Sequence, residues 1–255
     1  MNKLFKAFLK IAGVITAVAS AAAGIAFVAE RIEELKSYGK ELKHKPYGIY
    51  ERFVKRPLDC FLSTGALIVF SPILAVTAVL VKLKLGSPVL FTQERPGKDE
   101  KIFKLYKFRT MTDKRGADGN LLPDAERLTK FGKILRSTSL DELPELFNIA
   151  KGDMAIVGPR PLLTQYLPYY RPEERERHAI RPGLTGYAQI HGRNFVMWDE
   201  RCALDVQYAK KITFIGDVKI ILQTIIKVLK RSDVAEKRIP PLDQVRKEEI
   251  EIKTK

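Results

Sequence analysis

The sequence predicts a mostly helical α/β chain with a small sheet, membrane-anchored through a proline-kinked, re-entrant helix and through amphipathic helices lying in the interface. Three observations predict it. The apolar run Cys60–Val81 is interrupted by Ser71-Pro72 and carries basic residues at both ends. From Leu85 onward the pattern changes to short apolar runs, some strand-like and some helically spaced, broken by Gly, Pro and charge. The formal charge is +15, from 45 Lys and Arg against 30 Asp and Glu, which calls for an anionic partner. Nucleic acid and an anionic membrane surface both qualify. The expected organisation is an apolar and charged helical extension (1–45), a re-entrant helix region (46–84), a cytosolic domain (85–232) and a charged tail (233–255).

Composition narrows the class. At 45% hydrophobic residues the chain is too apolar for a disordered tail protein, and at 29% charged it is too polar for a polytopic channel. Cys60 and Cys202 form no disulfide framework or metal knuckle, and His44, His178 and His191 have no metal-ligand spacing.

The first apolar stretch, Ile11–Val28, follows Lys3, Lys6 and Lys10. It fits a signal peptide, a spanning helix or a helix lying on the membrane, and length does not choose among them. A span would put the amino-terminal lysines on the face opposite Lys55, against the positive-inside rule, which favours a surface-lying or shallowly inserted helix, or a second hairpin-like entry. Ala29–Lys43 reads as a charged helix. The second stretch, Cys60–Val81, is long enough to cross the roughly 30 Å hydrocarbon core. However, Lys55 and Arg56 flank one end and Lys82 and Lys84 the other, marking both as cytoplasmic. Pro72 removes a helical hydrogen bond and collides with the Ile68 carbonyl, so a kink is expected. Ser71 is placed to satisfy freed backbone groups. The favoured reading is a bent helix that enters one leaflet and returns; an ordinary kinked span stands beside it.

Pro88–Thr92 and Ile102–Phe108 read as strands, Gly116–Asn120 as a turn-rich loop, and Ala125–Arg136 as one helix. In Ser137–Asp153, Ser139 and Glu142 have capping-box spacing and Lys151-Gly152 gives a stop, so a helix is expected with Asp141 and Glu142 in its first turn. By themselves two acids there only suit the helix dipole. Their neighbours add more: Arg136 lies five residues before Asp141, Arg160 stands in the rigid GPRP turn (Gly158–Pro161), and Lys107 and Arg109 lie in YKFRT. Guanidinium groups grip phosphate oxygens in pairs and lysine acts as a point charge. Carboxylates beside such cations point to a divalent metal or to carboxylate attack on phosphorus. Arg181–Asn194 is a Gly-rich strand and turn, suited to close approach by a nucleotide or simply to a tight turn; the ending of a P-loop is absent. Phe214–Leu229 places Ile215, Val218, Leu222, Ile225 and Leu229 on one side, as a membrane-interface helix or a core helix would.

KRPLDC, the Ser71-Pro72 helix, QERPG (Gln93–Gly97), YKFRTM (Tyr106–Met111), LTKFGKILRSTSLDELPEL (Leu128–Leu146), VGPRPLL (Val157–Leu163) and RPGLTGYAQIHGRN occur in that order. Together they resemble the bacterial sugar transferase family, the monotopic phosphoglycosyl transferases, over about residues 50–231. The resemblance implies an enzyme at the bacterial cytoplasmic membrane, its catalytic domain facing the cytoplasm. Such an enzyme moves sugar-1-phosphate from a UDP-sugar to polyprenyl (undecaprenyl) phosphate, with Mg²⁺ as cofactor and UMP as leaving group, in the first membrane step of a surface glycan. The family's Asp-Glu pair matches Asp141 and Glu142. The resemblance makes Asp141 the residue that carries the phosphosugar and a metal ligand, and leaves Glu142 to metal support or proton handling. Lys107, Arg136 and Arg160 would hold substrate phosphate; Arg109 is read as structural. The implied partners are UDP-sugar, polyprenyl phosphate and membrane lipid, with a homo-oligomer left open. No nucleic acid is expected, since no binding motif or aromatic-studded groove is evident. A non-enzymatic membrane scaffold for glycan assembly is the alternative.

Overall fold

The computed structural model describes residues 44–192, 197–230 and 239–247. The apolar stretch Ile11–Val28 and the charged segment after it lie outside the described residues. Everything below concerns the unit Pro46–Lys255. Its described residues are mostly helical, with two two-stranded sheets, in keeping with the expected class.

A π-helical turn (Tyr50–Val54) leads into helix α1 (Lys55–Val69), and α2 (Ser71–Leu85) follows at once. The bend between them is 63° and falls at Phe70, before Pro72. Ser71 Oγ donates to the Ile68 carbonyl at 2.8 Å, the group that proline deprives of its helical donor. Among the described residues no single helix is long and apolar enough to cross a membrane; this bent pair passes only when its halves are taken together.

Helix α1 is built inside out. Its buried side chains are Lys55, Arg56, Asp59 and Ser63, while Phe61, Leu62, Ile68 and Val69 are exposed. Buried charge is tolerated only when it is paired, and here it is. Lys55 Nζ lies 2.7 Å from Asp217 Oδ2 and 3.5 Å from Asp59 Oδ2, and Tyr50 and Tyr208 donate their hydroxyls to Asp217. Arg56 donates to the carbonyls of Ile149 and Ala150, which cap the end of a helix it packs against.

Strands β1 (Leu90–Pro96) and β2 (Ile102–Phe108) pair antiparallel, Phe91 opposite Lys107 and Gln93 opposite Leu105. β1 runs four residues past the expected Pro88–Thr92, through Gln93-Glu94-Arg95, because its polar positions line a cavity instead of facing a core. The expected single helix Ala125–Arg136 is two pieces: a turn at Asp124–Arg127, then α3 (Lys130–Ser137), which starts afresh where Thr129 Oγ1 accepts from the Gly132 amide. Leu128 between them bridges to Met111 in strand fashion, which interrupts the helix.

A 3₁₀ turn (Leu140–Glu142) precedes α4 (Glu145–Lys151), which ends on Gly152 in the left-handed region. β3 (Ala155–Val157) and β4 (Gly183–Thr185) pair in parallel. The glycines here serve backbone packing: a Cβ on Gly183 would sit 2.0 Å from the Gly158 amide nitrogen and one on Gly186 2.2 Å from the Gly158 carbonyl. That close approach is of chain to chain.

α5 (Trp198–Lys210) and α6 (Phe214–Leu229) complete the body. Thr213 caps α6 through the Gly216 amide. α6 turns Ile220 and Asp217 inward and leaves Phe214, Ile215, Leu222 and Ile225 exposed, so the stripe read from the sequence faces outward and core packing does not explain it. Within the expected charged tail, residues 239–247 are not tail-like. Leu242 is fully buried against Tyr166, Trp198 and Cys202, Trp198 Nε1 donates to the Pro240 carbonyl, and Arg246 bridges Glu174 and Asp199. Apolar Ile239, Leu242 and Val245, three residues apart among charges, give this segment a face to bury.

Candidate active site

One face of the β1–β2 pair starts the site. Side chains alternate along a strand, so residues opposite one another share a face. Phe91, Gln93 and Arg95 therefore lie with Leu105 and Lys107, and all five line a cavity of about 720 Å³. Asn148 on α4, fully buried, docks that helix onto β2: its Oδ1 accepts from the Tyr106 amide and its Nδ2 donates to the Lys104 carbonyl.

Helix α3 brings Arg136. A Cβ on Gly132 would lie 1.8 Å from the Thr110 carbonyl, so α3 can press this close only with glycine there. Arg136 Nε then reaches Thr110 Oγ1 at 3.0 Å. Arg160 follows β3, and its carbonyl accepts from Arg177, itself fully buried and paired with Asp205 at 2.7 Å. Arg109 holds the carbonyls of Ser87 and Met111 and pairs with Asp113; it braces the cavity wall.

The Asp141-Glu142 turn departs from the expected capping box. Ser139 has φ 55° and makes no side-chain cap, and the α-helix begins only at Glu145, after Pro144. Glu142 is taken elsewhere: its Oε1 lies 2.7 Å from Lys107 Nζ and 2.8 Å from Arg160 Nη2. Asp141, 9% exposed, makes no hydrogen bond or ion pair within the described residues. With no capped helix start beneath it, Asp141 is not held ionised by a dipole. Burial, then the negative charge of Glu142, push its carboxyl up to about 6 against the pull of Lys107, Arg136 and Arg160. Burial also pushes Glu142 upward, but Arg160 and Lys107 prevail and hold it well below the carboxylate range.

The structure thus brings Lys107, Arg136, Asp141, Glu142 and Arg160 to one cavity. Ser71 and Pro72 lie at the helix bend, apart from it. Two residues of the site escaped the sequence reading. Arg95 lines the cavity, its Nε buried without a hydrogen-bond partner. Glu145, 3% exposed, contacts Lys107 at 3.0 Å. In sequence Glu145 looks like any acid that suits a helix start, and Arg95 stands in QERPG, where no neighbouring residue points to a role.

Among the described residues no group of three or more His, Cys, Asp or Glu side chains could cage a metal. Mg²⁺ rarely needs such a cage: it keeps waters and takes one or two carboxylates with substrate phosphates. Asp141, left without a protein partner, fits that sparse donor set; Glu142 is occupied by two cations.

A sequence model of the family described as bacterial sugar transferase matches residues 50–231. The chain is 51% identical over 176 residues to the uncharacterized sugar transferase EpsL of Bacillus subtilis, covering 69% of this chain and 87% of that protein. It is 38% identical over 201 residues to the UDP-N-acetylgalactosamine-undecaprenyl-phosphate N-acetylgalactosaminephosphotransferase of Aeromonas hydrophila, covering 72% of this chain but 45% of that one. It is 38% identical over 183 residues to the UDP-glucose:undecaprenyl-phosphate glucose-1-phosphate transferase of Caulobacter vibrioides, covering 67% and 68% respectively.

Proposed function

The chain belongs to the bacterial sugar transferase family, and from that premise we propose that it moves sugar-1-phosphate from a UDP-sugar to polyprenyl phosphate, releasing UMP. The names of two relatives support both substrates. The observation that carries the reading is the Asp141 carboxylate: buried in the large cavity, without a hydrogen bond or ion pair among the described residues, and surrounded by Lys107, Arg136 and Arg160.

The reaction proceeds in two displacements. An Asp141 oxygen attacks the β-phosphorus of the donor. The bond from that phosphorus to the bridging oxygen breaks, and UMP departs with the electron pair. A phosphate oxygen of the polyprenyl acceptor then attacks the same phosphorus and returns Asp141 as carboxylate. A carboxylate and a diphosphate repel, so the cations matter most where charge accumulates. Arg160 and Arg136 supply paired donors and Lys107 a point charge. Glu142 keeps Lys107 and Arg160 together and ready, at the cost of a like charge beside the nucleophile. Mg²⁺, held by Asp141 together with the donor, would supply further neutralisation of the diphosphate.

The same reading places the enzyme at the bacterial cytoplasmic membrane. The exposed apolar residues of α1 and α2 and the outer face of α6 support lipid contact, and the 63° bend supports a helix that enters and leaves one leaflet. The test uses donor labelled in the β-phosphate, without acceptor. Label is expected to stay on the denatured protein, at Asp141, with stoichiometric UMP release. UMP release with the label mapped to another residue would remove Asp141 from its role; no UMP release with any UDP-sugar would favour a scaffold.

A further inference from the structure

The cavity chemistry leaves Glu145 unused, although it is an acid buried to 3% exposure at the first position of α4. Its surroundings are specific. Glu145 borders a second, smaller chamber of about 200 Å³ and not the main cavity; Asp141 borders the main cavity and not the chamber; Lys107 borders both. The four charges alternate in a chain. Glu145 Oε1 lies 3.0 Å from Lys107 Nζ, Lys107 Nζ 2.7 Å from Glu142 Oε1, and Glu142 Oε1 2.8 Å from Arg160 Nη2. Arg95 borders the same chamber.

An ammonium group has three N–H donors. With one directed to Glu145 and one to Glu142, a single donor remains for a ligand. Lysine reaches through a flexible four-carbon stem, and the uncommitted carboxylate in the neighbouring cavity is Asp141. A Lys107 tethered by Glu142 alone is free to swing to Asp141 and neutralise the group meant to attack. Glu145 is fixed in turn by its helix, since Asn148 one turn further ties α4 to the strand that carries Lys107.

We propose that Glu145 is a positioning residue: from the chamber side it pins Lys107, so that the ammonium presents one donor to the donor substrate's diphosphate and stays off Asp141. Burial and the charge of Glu142 push the Glu145 carboxyl up to about 7, so the contact has to survive with a proton on the acid, as an amide would also allow. The role therefore depends on an acceptor oxygen at this position more than on a full negative charge.

The role rests on the transferase reading above, and the test separates the two. Full-length wild type is compared with Glu145→Gln, Glu145→Met and Glu145→Ala in detergent. The first measurement is UMP release against UDP-sugar concentration; the second is the rate at which an amine-acylating reagent modifies Lys107 without substrate, read by peptide mass spectrometry. Glu145→Gln is expected to stay within about threefold of wild type in KM, kcat and labelling rate. The Met and Ala variants are expected to raise KM at least tenfold, to lower kcat, and to label Lys107 several-fold faster. A wild-type KM and labelling rate in the Met or Ala variant would overturn the proposal, and so would a Gln variant as impaired as Ala. Should neither apolar variant fold, the Gln variant decides alone: a tenfold rise in KM overturns it and near-wild-type behaviour upholds it. Absence of UMP release from every protein would sink the transferase reading, while the Lys107 labelling rates would still judge the contact.

Discussion

Two sets of buried charge in this chain are built to opposite ends. Under α1, both oxygens of Asp217 are spoken for: Oδ1 accepts from Tyr208, and Oδ2 takes Tyr50 and Lys55. Asp59 beside it accepts from the Ile156 amide and faces Lys55. In the cavity Glu142 meets both Lys107 and Arg160 through one oxygen, Oε1, yet Asp141 one residue away makes no hydrogen bond or ion pair among the described residues. A charge that serves the fold is answered on every side. On the proposed reading, the charge that serves chemistry is left short of a partner so that the substrate can supply it.

The sharpest way to break the contrast is to neutralise each acid in turn. Asp141→Asn is expected to lower UMP release by about 10⁴-fold or more, as loss of a nucleophile does. It should also raise the melting temperature at pH 7.5 by roughly 2–5 °C. The sign follows from the raised carboxyl: the folded state binds this proton more tightly than the unfolded chain, so the ionised acid costs stability, fully above about pH 6 and not at all below its unfolded value. An unchanged or lower melting temperature would show that Asp141 has a protein partner after all.

Asp217→Ala should do the reverse. It strands Lys55 and removes the acceptor of two tyrosines, so a loss of about 3–5 kcal/mol is expected, read as a melting point lower by roughly 10 °C. The molecules that remain folded should release UMP at close to the normal rate. Arg160→Met comes next, lowering kcat/KM by about 10²-fold, with a smaller effect on melting. The smallest effect is one of pH. UMP release by wild type should decline as pH falls through about 6, where Asp141 takes up its proton. Glu142→Gln removes the second cause of that raised value and should move the decline to lower pH, whatever it does to the maximal rate.

Much of the fold was legible because its signals are local. Ile102–Phe108 and Phe214–Leu229 were read to their ends. The bend at Phe70, just before Pro72, follows from one ring and one missing donor. What was not legible depends on distant partners. Ser139 and Glu142 have capping-box spacing, yet Lys107 and Arg160, 35 and 18 residues away, outcompete the amide for Glu142. Lys55 read as a flanking charge, because its partner Asp217 stands 162 residues further on. Five cavity residues could be assembled from motifs; Glu145 could not, since in sequence it is indistinguishable from an acid that merely suits a helix start.

The inverted helix α1 has a bearing on how the protein is made. Lys55 and Asp59 face each other within the helix, but Asp217 of α6, the Ile149 carbonyl of α4 and the Ile156 amide of β3, which also answer its lysine, arginine and aspartate, are all translated later. Until those segments fold, the helix carries an apolar face and a charged flank that still lacks these partners. Burial of that flank is thus reserved for molecules whose later segments have folded, a form of quality control written into the chain itself.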